Sequence, residues 1–334
     1  MKIDAFNHVF PARFLERVAP LAPSGAVRRW QSISALHDID ARLRVLDAFD
    51  DVRQIISLSQ PPLDDIAGPD ETPELARLAN DCMQDICTQH PDRFPGFVAT
   101  PAMNNPDSVL AEIERAIVGM GALGLQIHTN VNGKALDQPE FFPIFARMAE
   151  LDKPIWLHPA RPMQVSDYQA EDVSRYEIWW GLGWAYDTSA AMARIVFSGM
   201  FDKLPNLKII THHWGAYIPH AEGRITPYWQ ERKSQSADHA YGPLSQNLER
   251  QALSYFKMFY ADTAMFGAEA ASRCGLEFFG AAHSVFATDA PYDHAGGAQV
   301  LRDTIAIIDA LDCTPEDRQA IYSGNIERLV GRAL

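Results

Sequence analysis

Short apolar runs that stop at a histidine or an aspartate recur along this 334-residue chain, and that recurrence limits the possible folds more than any other feature. IDAFNH closes at His8, PIWLH at His158, LKIITHH at His212 and His213, and SVFATD at Asp289. Four further runs, VRQIISLSQ, FPGFVAT, LGLQIHTN ending near His128, and KMFYADT, bring the strand-like segments to eight. Between them lie stretches with apolar residues at helical spacing, such as Ile39, Leu43, Leu46 and Phe49. Eight strand and helix alternations match an α/β fold of the (β/α)8 TIM barrel type. A doubly wound open sheet shares the alternation but gathers its polar residues at one switch point. Here they follow the first, fourth, fifth, sixth and eighth strands, which favours the barrel. The expected organisation is one domain over residues 1–334, with residues 19–38 (Pro, Gly and Ser with weak periodicity) as an insertion or lid after the first strand.

Hydrophobic residues at 47% and charged ones at 22% give the chain ample material for a core. Its 29 basic and 43 acidic residues leave a formal charge of -14, which repels phosphate backbones and anionic bilayers. Nucleic acid and membrane are therefore not expected partners, and an anionic substrate requires cations placed locally. Cys82, Cys87, Cys274 and Cys313 form no CxxC pair, as in a reducing compartment. The start MKIDAF enters a strand directly, and no 18-residue uncharged apolar run occurs. These features point to a cytoplasmic protein.

In a parallel barrel all strand carboxyl ends meet at one rim, so His8, His158 and Asp289 converge there. Imidazole nitrogen and carboxylate oxygen suit one divalent ion, Zn²⁺ first, with Mn²⁺ or Fe²⁺ as alternatives, and three protein ligands leave a position for water or substrate. Arg161, three residues past His158, can clamp an anion bidentately, although most loop arginines are solvated surface groups. Trp179, Trp180, Trp184 and Tyr186 can wall an aromatic ligand, although aromatics at such spacing more often serve core or subunit interface. Tyr292 and His294 lie in the loop after the last strand, within reach of a ligand at the rim, and His128 is a weaker candidate at its own strand end.

Several stretches carry a family resemblance: RLRVLDAFDDVRQIISLSQPP, ELDKPIWLHPARP, SGMFDKLPNLKIITHHWGAYIPHAEGRI, VFATDAPYD and SGNIERLV. In them the chain resembles the amidohydrolase superfamily, and within it the branch of metal-dependent aromatic-acid decarboxylases. The resemblance implies that His8, His158 and Asp289 bind the metal and that His213 is the catalytic histidine beside it. The branch carries His or Glu two residues before the first-strand histidine, where this chain has Phe6. Asn7 is a poor substitute, and His212 is expected to face away from His213 towards the outer helices, because neighbouring strand residues point to opposite sides.

The implied activity is non-oxidative decarboxylation of a small aromatic or unsaturated carboxylic acid, with an acid near Asp289 protonating the carbon that carries the carboxylate. Asp289 could be that acid only with a perturbed pKa, and metal ligation works against it. The same residues allow hydrolysis of an amide, lactone or carbon-carbon bond by activated water. A third reading makes the chain a non-catalytic partner of an active paralogue, with Phe6 as the mark of a decayed site. The aromatic-rich stretch and the resemblance both suggest a homodimer or tetramer.

Overall fold

The computed structural model describes residues 1–225 and 248–334. Among these residues eight parallel strands follow one another in chain order: β1 (Lys2–Val9), β2 (Val52–Leu58), β3 (Gly96–Phe97), β4 (Leu125–His128), β5 (Ile155–His158), β6 (Ile209–Thr211), β7 (Tyr260–Asp262) and β8 (Ser284–Val285). Two arcs, β1 to β3 and β4 to β8, are joined by backbone hydrogen bonds at both seams. At one seam Leu123 donates to Phe97 and Gln126 to Ala99. At the other Ala5 donates to Phe286 at 2.8 Å and Asp289 to Phe6 at 3.1 Å. These bonds close the barrel and bring Asp289 alongside β1. The stretch after LKIITHH reads from sequence as further helical turns; its residues 226–247 lie outside the described residues.

The helices form because apolar residues recur every three or four positions. In Thr72–Gln89 the buried set Leu75, Ala76, Ala79, Met83 and Ile86 makes one stripe, and the helix ends at His90 before Pro91. Each large side chain buried this way contributes about 1.5–3 kcal/mol. The apolar interior divides into two. One cluster lies between strands and helices. The other fills the barrel itself with Phe6, Ile55, Val98, Leu123, Trp156, Ile210, Val285 and Ala287, and is plugged by Ile326, Leu329 and Val330 from the last helix. Trp156 donates from its indole to Ala5 across this interior at 2.9 Å. It forms the floor beneath the carboxyl-end rim.

The segment 19–38 contains the helices Ser24–Ser32 and Ser34–His37. Trp30 stacks on Phe10 just beyond β1, with ring centroids 4.7 Å apart, and Phe10 donates its amide to Leu36. The next helix, Ile39–Leu46, is capped by Asp38, which accepts from Ala41. It delivers Arg42 into the protein, where the side chain is 2% exposed. The guanidinium bonds the carbonyl of His8, the side-chain oxygen of Asn7 and, at 2.8 Å, that of Gln54. Gln54 in turn donates to Asp4 at 2.8 Å, and Asp4 accepts from both the amide and the hydroxyl of Thr288. One buried network thus ties β1, β2 and the residues after β8 together behind His8 and Asp289.

Truncating a buried, fully bonded cation strands its acceptors. Arg42→Met is expected to lower unfolding free energy by about 3–5 kcal/mol in denaturant titration. A loss under about 1 kcal/mol would mean that the carbonyl of His8 and the side chain of Asn7 find other partners.

Candidate active site

The strand register explains which side chains meet. In the β4 to β5 ladder His128 pairs with His158, and β5 pairs with β6 through Leu157 and Thr211, so the next residues along, His158 and His212, fall in one row. Residues in one row of parallel strands share a face, and here that face is the barrel mouth. The rings follow this geometry: His128 and His158 are 5.3 Å apart between centroids, His158 and His212 5.2 Å, and His8 and His158 5.0 Å. One nitrogen from each of His8, His158 and His212 lies within 4.8 Å of the other two, and His212, His213 and Asp289 form a second such group.

His212 therefore corrects the expectation drawn from strand alternation. It points into the site and is fully buried. His212 keeps extended backbone (φ -79°, ψ 157°) and so shares the inward face of Ile210; it is His213 that breaks the alternation, because the chain turns left-handed there (φ 54°) and at Trp214 (φ 48°), Gly215 and Ala216. Such backbone is costly for residues with a Cβ and persists only where neighbours hold it. Asp262 at the end of β7 supplies the hold. Its carboxylate accepts from the Nδ1 of His212, from the amide of His213 at 3.0 Å and from the amide of Ala264 at 3.1 Å. Both histidines are thereby turned towards Asp289, itself left-handed at φ 61°.

Asp289 is the hub. Its Oδ1 lies 3.0 Å from the Nε2 of His8 and 3.5 Å from that of His212, and its Oδ2 lies 3.5 Å from the Nε2 of His213. Neither the His8 nor the His212 Nε2 is aligned for a hydrogen bond, although both are buried. Buried nitrogens and a carboxylate oxygen that crowd together without bonding each other are the arrangement of ligands aimed at a shared cation. The opposite ring nitrogens are held: Nδ1 of His8 meets the Ser57 hydroxyl at 3.2 Å, Nδ1 of His158 meets the Pro159 carbonyl at 2.7 Å, and Nδ1 of His212 meets Asp262. Outer partners of this kind fix the tautomer that leaves Nε2 as the ligand. The donor set fits one divalent ion. His8 meets both His158 and Asp289, and His212, which belongs to both groups, links the two.

Phe6 is completely buried and packs into the same space, 4.3 Å from His212 and 5.7 Å from His158 between centroids. Asn7 is consumed by Arg42 and by the carbonyls of Asp4 and Ile55. A fourth donor thus comes from β6, where Phe6 offers none on β1.

The charges follow from this crowding. Burial opposes charge on His212, but Asp262 and Asp289 outweigh it and lift the imidazole to about 10. Burial would likewise raise Asp289, yet His212, then His213 and His8, hold it well below the usual carboxylate range. Asp289 is therefore a carboxylate at neutral pH, the wrong state for the proton donor considered from sequence. Burial keeps His158, His8 and His213 below the ordinary imidazole value, and holds His128 down to about 3.

The flanking candidates separate. Trp184 stands edge-on to His158 at 5.8 Å, and Tyr292 lies 5.8 Å from His8 with its hydroxyl bonded to Ser59. Arg161 pairs with Asp187 at 3.0 Å and crosses Gly183, where any Cβ would collide with it. His294 is exposed and is not drawn into the cluster. Two contributors escaped the sequence reading. Gln60 donates its side-chain amide to the Pro159 carbonyl that also holds the Nδ1 of His158, and Asp262 orients His212. The carboxylate closing KMFYADT was a signal of the same kind as Asp289.

An amidohydrolase family model matches residues 7–332. A γ-resorcylate decarboxylase of Polaromonas sp. is 31% identical over 89% of this chain and 88% of its own length. One from Rhodococcus jostii is 29% identical over 84% and 86%. A crystal structure of a dihydroxybenzoic acid decarboxylase from Polaromonas sp., with bound manganese and the inhibitor 2-nitroresorcinol, superposes with a TM-score of 0.79 at 25% identity, covering 99% of this chain and 96% of that one.

If Asp262 sets the ligand tautomer of His212, Asp262→Asn should weaken divalent-metal affinity by about 10–100-fold in chelator competition, and unchanged affinity would remove that role. Binding an ion at His212 must also displace a proton that Asp262 and Asp289 hold up to about pH 10. Affinity should rise with pH across the range from neutrality towards 10. Calorimetry in buffers of different ionisation enthalpy should detect about one proton released per ion, and release that is absent at neutral pH would show His212 to be neutral or uninvolved.

Proposed function

The chain belongs to the amidohydrolase family, and on that premise we propose that it is a metal-dependent, non-oxidative decarboxylase of a small aromatic carboxylic acid. The observation that carries the reading is the gathering at the barrel mouth of His8, His158 and His212 as one set of ligand nitrogens, with the ionised Asp289 against His8 and His212. These four residues would hold one divalent ion. Zn²⁺ and Mn²⁺ both suit the donors, and the manganese in the related decarboxylase structure favours Mn²⁺ for the first trials. A bound ion supplies Lewis acidity towards a substrate carboxylate or hydroxyl.

The remaining steps belong to the protein. Asp262, Ser57 and the Pro159 carbonyl keep the imidazoles in their ligand tautomers. Phe6, Trp184 and Tyr292 form apolar walls around the cluster, which suit an aromatic ring and restrict water. His213 is the proton carrier, because its Nε2 faces Asp289 while its side chain stays 16% exposed. Neutral before the substrate enters, it takes up a proton and passes it to the ring carbon bearing the carboxylate; that carbon's bond to the carboxylate then breaks and CO₂ leaves. Arg161 keeps guanidinium donors beyond its bond to Asp187 for the substrate carboxylate. Asp289 acts as ligand and as electrostatic partner of His213.

The same reading takes the chain as a single barrel covered near β1 by residues 19–38, working as a homodimer or tetramer in the cytoplasm. Four cysteines without a disulfide support the reducing compartment, and no helix among the described residues is long and apolar enough to cross a membrane.

Protein loaded with Mn²⁺ or Zn²⁺ and offered a panel of hydroxybenzoates should release CO₂ from at least one. Product without CO₂ would move the assignment to hydrolysis, and turnover of nothing with either ion would overturn it. His158→Ala should lose both bound metal and turnover. His213→Asn should keep the metal and lose about 10²–10⁴-fold in kcat, and a kcat within a few-fold of the parent would take the proton step away from His213.

A further inference from the structure

The imidazole of His128 is not used by the metal cluster or by the proton path. It sits at the carboxyl end of β4, in register with His158 and 5.3 Å from it, and is only 7% exposed. Its Nε2 is buried and makes no hydrogen bond among the described residues. Buried polar atoms are nearly always paired, and one left over beside a reaction centre has a purpose outside the fold. His128 belongs to neither group of side chains close enough to share an ion. Loose packing does not account for it either, because the backbone that carries it is tied down. Thr129 donates its amide to His158 at 3.0 Å and exchanges hydrogen bonds with Ala160, and Asn130 donates to Ala160 at 2.7 Å.

We propose that His128 is a specificity-determining residue whose Nε2 hydrogen-bonds a hydroxyl on the aromatic ring of the acid. The inference rests on the aromatic-acid reading above and adds to it a recognised substituent. A ring held beside His158 under the Trp184 wall brings one edge of the substrate against β4, where His128 has the unpaired polar atom. A site built around a hydrogen bond to a hydroxyl discriminates strongly against a ligand that lacks it, because the buried protein group is then left bare.

The test uses binding, so that it does not depend on turnover. Nitrobenzene and 2-, 3- and 4-nitrophenol, nitro analogues that cannot lose CO₂, are titrated calorimetrically into the full chain loaded with Mn²⁺. At least one nitrophenol should bind the parent protein about 10–100-fold tighter than nitrobenzene. In His128→Phe that advantage should fall to within about 3-fold for the same isomer, and His128→Gln should restore part of it. Metal content by elemental analysis should be the same in all three proteins. The proposal is overturned if no isomer is preferred by the parent, if every preference survives in His128→Phe, or if that variant loses its metal. Should the preference follow His128 while no hydroxybenzoate releases CO₂, the recognition stands and only the decarboxylase reading fails.

Discussion

Everything at the barrel mouth depends on one carboxylate, that of Asp262. By accepting from the ring of His212 and from the amides of His213 and Ala264, it fixes a tautomer and stabilises a run of left-handed backbone together. Without that anion, His212 would carry a buried charge beside only one partner, and the turn that brings His213 to Asp289 would lose its anchor. Asp262 itself is affordable because strand pairing places it directly beside the end of β6, where its acceptor capacity is met by donors from both chain segments.

A second constraint sits behind the first strand. Arg42 braces the His8 carbonyl while Asp4 binds Thr288 next to the hub, so both sides of the closing seam are held by one polar network rather than by packing alone. The two networks converge on Asp289 from opposite directions. That convergence gives the site its rigidity: ligands rest on strand ends, and their outer ring nitrogens are already occupied. Phe6 fits into this frame as filler. Its ring occupies the space beside β1 where a ligand is otherwise expected, and the compensating nitrogen arrives from β6.

Much was legible in the residues. The rim positions of His8, His158 and Asp289 were readable because an apolar run followed by a polar residue marks the carboxyl side of a strand, and barrel geometry sends all such ends to one rim, although β8 itself stops at Val285. The missing donor at Phe6 was readable as well. His212 was misread because His213 was taken as the inward residue of the alternation, whereas His212 shares the inward face of Ile210 and left-handed backbone at His213 turns that second ring in beside it. Asp289 was considered as an acid, and only the three imidazoles around its carboxylate show that it is held ionised. His294 shared a loop with Tyr292, but the loop turns one inward and leaves the other in solvent.

The sequence by itself determined the repeating strand and helix pattern, the charge balance, and the kinds of donor available at the rim, since these depend on residue type and local spacing. Only the tertiary structure decided which donors meet. Register between neighbouring strands set His128, His158 and His212 in one row, and left-handed backbone after Thr211 turned two adjacent histidines to the same side. Asp262, 50 residues away from His212, supplied the charge that makes the arrangement stable. Such contacts arise from closure of the barrel, and no local pattern within either segment encodes them.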